Sequence, residues 1–119
     1  MNYKDLLDIT KKHGSPLYVY DSEKIRSQYD RLTAAFSNVK NVKINYAVKA
    51  LSNISILKLV NSFGAGLDTV SIQEVKLGLL AGVHPSDIIF TPNGVSLDEI
   101  EEVSAMGVQI NIDNLSVLE

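Results

Sequence analysis

Gly64-Ala65-Gly66-Leu67-Asp68-Thr69-Val70-Ser71-Ile72-Gln73-Glu74 holds the pattern that decides the fold. Leu67 to Val70 is a short strand-forming run, and Ser71 follows at once with Glu74 three positions on. That Ser-x-x-Glu spacing lets two side chains reciprocally satisfy free amides at a helix start. A strand is therefore predicted to feed directly into a helix. The same order recurs on both sides: Lys43 to Val48, Ile88 to Thr91 and Val108 to Ile112 read as further strands, and Ser96 with Glu99 repeats the capping spacing. Gly64, Gly82 and Gly107 fall where helices should end, because glycine accepts the left-handed conformation that closes them. Repeats of about 20 to 25 residues leave little room for anything but a parallel sheet with right-handed crossovers, and eight such units make a (β/α)8 barrel of ordinary size.

The expected fold class is α/β, with parallel strand-helix repeats forming about half of a (β/α)8 TIM-type barrel. A complete open sheet of four strands is the alternative. The half-barrel is preferred because a last helix, capped by Asn114 or Ser116, begins just before Glu119, and nothing protects the final strand's edge. Upstream, an amphipathic helix from Tyr3 to Lys12 stops at Gly14, and Ser15-Pro16 leads into a β-type run, Leu17-Tyr18-Val19-Tyr20. Asp21 then caps a helix whose Ile25, Tyr29, Leu32 and Phe36 share one face. Residues 1–42 are thus expected as a leading helix, strand and helix, and residues 43–119 as the first four barrel strands with their helices.

Composition narrows the function. The chain has 119 residues, 45% hydrophobic content and a formal charge of −3 without long like-sign runs. This is a globular composition with neither a nucleic-acid surface nor a basic membrane-binding face, and it points to a small-molecule or protein partner. Zero cysteines exclude disulfides and thiolate chemistry, and the two histidines, His13 and His84, lie in separate turn-like contexts, so no zinc site is expected. No signal-peptide pattern opens the chain and no apolar stretch approaches the roughly 20 residues that span a bilayer, which reads as cytoplasmic.

Two residues are candidates for chemistry. Lys49 ends the apolar segment Asn45-Tyr46-Ala47-Val48, at the strand end where parallel α/β folds gather ligand-handling groups. An amine held among apolar side chains loses hydration in its charged form and becomes a usable nucleophile toward an aldehyde; the bland alternative is a solvated lysine capping a strand. Tyr46 and Lys49 cannot both face the barrel interior if the strand alternates regularly, yet Lys49 lies at the end where alternation can relax into the loop, so the geometry permits an inward lysine. Asp68 sits inside a short apolar strand, where an unpaired charge is costly. It either helps hold the lysine or a cofactor polar group, or makes a structural hydrogen bond to a loop amide. Gly64-Ala65-Gly66 precedes a strand, unlike a phosphate loop, and reads as a turn. His84 reads as a solvated loop residue, His13 as a helix C-terminal charge. Thr91-Pro92-Asn93-Gly94-Val95-Ser96 follows the third strand and either lines the same mouth as Lys49 or is simply a loop.

Pro16 to Asp21, Tyr46-Ala47-Val48-Lys49-Ala50, Gly64 to Ser71 and Ile88-Ile89-Phe90-Thr91, taken in this order, resemble the N-terminal part of the diaminopimelate decarboxylases. These are pyridoxal-phosphate enzymes of the fold group shared by alanine racemase and ornithine decarboxylase. The resemblance covers nearly the whole chain. It implies a (β/α)8 barrel followed by a separate β-domain that this sequence lacks, with pyridoxal 5'-phosphate as cofactor. It implies that Lys49 is the catalytic lysine bonded to the cofactor aldehyde and that Asp68 lies beside the cofactor. It further implies an amino-acid substrate losing carbon dioxide (meso-2,6-diaminopimelate giving L-lysine), a homodimeric full-length enzyme, and a 119-residue piece that is inactive and self-associating. Two departures bear on the substrate: Leu51 stands where the family commonly has asparagine, and Pro92-Asn93-Gly94-Val95 replaces a more glycine- and lysine-rich stretch. An arginine or carboxynorspermidine decarboxylase, or a cofactor-binding module without its own reaction, are the alternatives; alanine racemase is less similar.

Overall fold

The structure, a computed structural model, describes residues 2–112 and 115. Helix α1, Tyr3–His13, opens on a reciprocal cap between Asn2 and Asp5 and stops at Gly14, whose φ is 82°. Helix α2, Ser22–Ala35, starts where the Asp21 carboxylate accepts from the Lys24 amide; that hydrogen bond holds the Asp21 carboxyl below its ordinary range. The repeating part then runs β1 (Asn45–Ala47), α3 (Ile54–Ser62), β2 (Gly66–Thr69), α4 (Ile72–Leu80), β3 (Ile88–Phe90), α5 (Leu97–Ala105) and β4 (Gln109–Ile110). All neighbouring strands are parallel and the sheet order is β1-β2-β3-β4, as the strand-helix reading expects. The expected last helix at Asn114 or Ser116 lies outside the described residues.

Caps set the boundaries. Ser96 and Glu99 form the full reciprocal box on α5. At α4, Ser71 accepts from the Glu74 amide as expected, but the Glu74 carboxylate reaches one residue further back, to the Val70 amide at 2.9 Å. Asn53, with its side chain accepting from Ser55 and Ile56, caps α3. Gly64, Gly82 and Gly107 all take positive φ (94°, 90° and 75°) just past α3, α4 and α5.

The core lies between one face of the sheet and helices α3 to α5. Val48, Leu57, Leu67, Val75, Ile88, Phe90 and Val103 have no exposed surface, and Thr69 joins them, its hydroxyl donating to the Ile89 carbonyl at 2.9 Å. The approach of α4 is set by Gly78: a Cβ there would stand 2.7 Å from Leu67 Cδ1 and 3.1 Å from Ile88 Cδ1. Helix α2 joins through Tyr29, whose ring centroid is 5.8 Å from that of Phe63, and Arg26, whose guanidinium lies 4.2 Å above the Phe63 ring. The apolar face predicted for α2 is only partly covered, since Ile25 and Tyr29 are half-buried while Leu32 and Phe36 are exposed.

The leading strand is corrected. Leu17 to Tyr20 is not a strand: no described backbone edge pairs with it, and Tyr18 is 91% exposed. Strand-type residues that do not pair with an edge leave their amides and carbonyls without ladder partners, and propensity alone does not make a strand. The segment expected as leading helix, strand and helix therefore contains two helices.

At the N-terminal end of the strands the packing is tight. A Cβ on Gly66 would stand 2.2 Å from Asn45 Oδ1 and 2.6 Å from the Asp87 carbonyl oxygen, neither of which is the end of a long flexible side chain. Beside Gly82, by contrast, nothing lies within 4 Å of an added Cβ, so only its positive φ penalises a side chain. Gly66→Ala is expected to destabilise the fold by about 2–3 kcal/mol, and Gly82→Ala by about 1 kcal/mol. Urea unfolding of the two variants checks the order, and equal costs would contradict the close approach at Gly66.

Candidate functional site

Parallel pairing assigns the side chains of the sheet to two faces. Leu67 and Ile88 pack on Gly78 of α4, so the register pairs Tyr46–Leu67–Ile88 and Thr69–Phe90–Ile110 belong to the helix side. The opposite face carries the row Ala47–Asp68–Ile89–Gln109, with Asn45 and Gly66 before it. Asp68 and Ile89 are half-buried there, and Gln109 is exposed. This second face is the one that a barrel would turn inward.

Lys49 lies just beyond β1. The chain tightens after Ala47 into a 3₁₀ turn, Val48–Ala50, closed by the Leu51 amide donating to the Val48 carbonyl at 3.0 Å. The turn buries Val48 completely and leaves Lys49 exposed, with no hydrogen bond or ion pair among the described residues. Of the two surroundings the sequence left open for the lysine, held among apolar side chains or solvated at the strand end, the structure shows the second: Val48 takes the helix-side place. The lysine is an accessible, uncommitted amine at the carboxyl end of the sheet. Tyr46 lies on the helix side, and its hydroxyl donates to the Leu51 carbonyl at 3.3 Å. Burial, and secondarily Tyr20, push that hydroxyl above the ordinary phenol range, which keeps it a donor.

Asp68 is partnered, though neither by a lysine nor by a loop amide. Its Oδ1 accepts from the Thr91 hydroxyl at 3.2 Å, and Thr91 Oγ1 in turn accepts from Asn111 Nδ2 at 3.1 Å. Lys49 and Asp68 share the carboxyl end of the sheet without forming an ion pair. The backbone supports this row: the Thr91 amide donates to the Thr69 carbonyl and the Asn111 amide to the Phe90 carbonyl, both at 2.8 Å, extending the ladders one residue past the strands. Thr91 thus joins the site from the loop that the sequence left open. Asn111 was not singled out, although Gln109 and Asn111 alternate with the apolar Val108 and Ile110 and so mark a polar face of β4.

The remaining sequence candidates lie elsewhere. Gly64 makes the turn, but Gly66 is already the first residue of β2. His84 Nδ1 accepts from the Ser86 amide in a 3₁₀ turn, Pro85–Asp87, that precedes β3 and so sits at the opposite end of the sheet from Lys49. His13 is exposed in the last turn of α1. A groove of about 540 Å³ runs beside β1 and is lined by Tyr20, Ile25, Tyr29, Leu32, Tyr46 and Leu51 among others. Its apolar walls suit coverage by another apolar element, not a charged ligand. Among the described residues, no helix is long and apolar enough to cross a membrane.

Parallel strand-helix units with polar side chains and an accessible amine at the strand carboxyl ends define the ligand-binding half of an α/β barrel. Comparison with known proteins is more specific. The family model for the pyridoxal binding domain of pyridoxal-dependent decarboxylases matches residues 22–119, and the chain belongs to that family. Diaminopimelate decarboxylase of Methanothermobacter thermautotrophicus is 37% identical over 115 residues, which is 96% of this chain and 27% of that enzyme. The crystal structure of diaminopimelate decarboxylase from Helicobacter pylori complexed with L-lysine superposes with a TM-score of 0.86 at 36% identity, covering 98% of this chain and 29% of that one. Lysine/ornithine decarboxylase from Vibrio vulnificus, complexed with putrescine, gives a TM-score of 0.83 at 28% identity, covering 97% of this chain and 31% of that one. The chain therefore spans little more than a quarter of the length of the archaeal relative.

Proposed function

We propose that residues 1–119 are the N-terminal part of a decarboxylase that uses pyridoxal 5'-phosphate and converts meso-2,6-diaminopimelate to L-lysine. In that reaction one carbon–carbon bond to a carboxylate breaks, carbon dioxide leaves, and a proton takes its place on the same carbon. The observation that carries the reading is the accessible, uncommitted Lys49 amine at the carboxyl end of β1, in a chain whose match to the pyridoxal binding domain includes it. The naming of relatives at 34–37% identity as diaminopimelate decarboxylases supports the choice of substrate.

The residues fit the cofactor. An aldehyde needs a primary amine that solvent and ligand can reach, and Lys49 provides one; a polar ring substituent needs a nearby hydrogen-bonding group, and Asp68 keeps Oδ2 without a partner among the described residues. In this reading Lys49 holds the cofactor covalently and Asp68 contacts it. When bound, pyridoxal phosphate supplies an electron sink for the bond that breaks. The protein's part is placement: Val48, buried on the other face, pins the turn that presents Lys49, and the ladder through Asp68 and Thr91 fixes the carboxylate's height on the sheet.

The first four strand-helix units would then be completed by later units of the same barrel, followed by a β-domain, in a cytoplasmic homodimer. Borohydride reduction of the full-length gene product with cofactor, followed by peptide mapping, is expected to put the pyridoxyl group on Lys49. Lys49→Ala is expected to lower decarboxylation at least about a thousandfold, as loss of a covalent-catalysis residue does. Labelling of another lysine while Lys49 stays free would defeat the assignment. Turnover of arginine, carboxynorspermidine, ornithine or lysine in place of diaminopimelate would move the protein to another branch of the family.

The 119-residue chain by itself is expected to be inactive and to self-associate. Four strands carry the lysine but leave one side of the cofactor without protein, and placement is most of what the protein contributes. The outer edges of β1 and β4 are unpaired among the described residues, and the apolar groove beside β1 is open. Light scattering and a carbon dioxide release assay on the purified chain test both points. A monomer at high concentration, or measurable turnover, would contradict them.

A further inference from the structure

We propose that Thr91 and Asn111 are positioning residues that act through Asp68. Together they form a directed hydrogen-bond relay that clamps one carboxylate oxygen against β3 and leaves the other to meet the cofactor. The inference rests on the reading that Asp68 contacts the cofactor, and it concerns two side chains, the Thr91 hydroxyl and the Asn111 amide, to which neither that reading nor the resemblance assigns a role.

The direction of the relay follows from its chemistry. A threonine hydroxyl has one proton to give. Asn111 Nδ2 donates to Thr91 Oγ1 at 3.1 Å, which occupies the oxygen as an acceptor and leaves its proton for Asp68 Oδ1 at 3.2 Å. An ionised carboxylate only accepts, so each group in the row Asn111, Thr91, Asp68 has a matching partner. The Asn111–Thr91 distance is at the long end of the N–H···O range, and the Thr91–Asp68 distance is longer than an ordinary O–H···O hydrogen bond.

Position makes the relay rigid on one side and open on the other. Thr91 lies two residues beyond Ile89, the register partner of Asp68, and Asn111 two residues beyond Gln109, the register partner of Ile89. All three side chains therefore stand on the same face, and the backbone amides of Thr91 and Asn111 are held in the ladders. A carboxylate on a short stem rotates about its terminal torsion unless one oxygen is pinned. With Oδ1 pinned toward β3, Oδ2 is the oxygen left for the β1 side, where Lys49 is. The pattern also gives the amide at position 111 a purpose that a carboxylate would not serve. Aspartate there would take the Thr91 proton for itself and set a second negative charge beside Asp68.

The test uses the full-length gene product and reads the dissociation constant of pyridoxal phosphate by equilibrium dialysis, with unfolding midpoints as a check on folding. Thr91→Val, which keeps shape but removes the hydroxyl, is expected to weaken cofactor binding by about tenfold. Thr91→Ser restores the hydroxyl and is expected to stay within about twofold of wild type. Asn111→Asp, nearly isosteric, is expected to weaken binding at least as much as Thr91→Val. In an Asp68→Ala background Thr91→Val is expected to add nothing, since its effect passes through the missing carboxylate. An undiminished Thr91→Val effect in that background, or failure of Thr91→Ser to restore binding, overturns the relay. Unchanged binding in Asp68→Ala alone overturns the underlying reading of Asp68, and the relay falls with it. The two failures are distinguished by which variant shows them.

Discussion

The two-residue alternation of parallel strands in fixed register is the constraint on which everything else in this chain depends. Once Leu67 and Ile88 are committed to Gly78 and α4, the flanking positions have no choice of face: Thr69 and Phe90 must go inward to the helices, and Asp68 and Ile89 must go the other way. A slip of one residue would send Asp68 into a core that has no cation and carry Leu67 into solvent. The energetic difference is decided by burial. Leu67, Ile88 and Phe90 are fully covered, and each such side chain is worth roughly 1.5–3 kcal/mol relative to exposure. The chemistry of the site is positioned as a consequence of apolar packing on the opposite face.

Much of this was legible in the sequence because the signals were local. Ser71 with Glu74 and Ser96 with Glu99 announce helix starts by hydrogen bonds between groups three residues apart, and Gly64, Gly82 and Gly107 announce helix ends by a conformation that needs no distant partner. The four barrel strands lie where the sequence puts them: the first, third and fourth are shorter than expected, and the second has the expected length one residue earlier. What was misread or left open depended on neighbours that sequence does not display. Leu17 to Tyr20 has strand-type residues but pairs with no described edge. The apolar run before Lys49 leaves both a buried and a solvated lysine open, and it is the 3₁₀ turn that decides between them by giving the buried place to Val48. Asp68 was expected to need a partner, and it has one, but the partner is Thr91, 23 positions away in the chain and itself held by Asn111, 43 positions away from Asp68, and only the register brings them together.

The two ends of the same sheet are built on different principles. At the N-terminal end, Asn45, Gly66 and the Asp87 carbonyl approach so closely that no side chain fits at position 66, while Lys43 and Asp87 pair across the rim. That exposed ion pair contributes little to stability, and the interlocked backbone and side-chain atoms are what resist change. At the C-terminal end the ladders outrun the strands, the side-chain hydrogen bonds from Asn111 to Thr91 and from Thr91 to Asp68 are longer than 3 Å, and Lys49, Thr91 and Asn111 are exposed. A site that must admit a ligand has to keep donors and acceptors whose partners can be exchanged. A parallel sheet allows this because its strands all start at one end and finish at the other. Close packing at the starting end therefore fixes where each chain exits, and side chains just past the exits can be poised for a ligand without themselves holding the fold together. That separation is why the polar row of this sheet tolerates exposure that its apolar row does not.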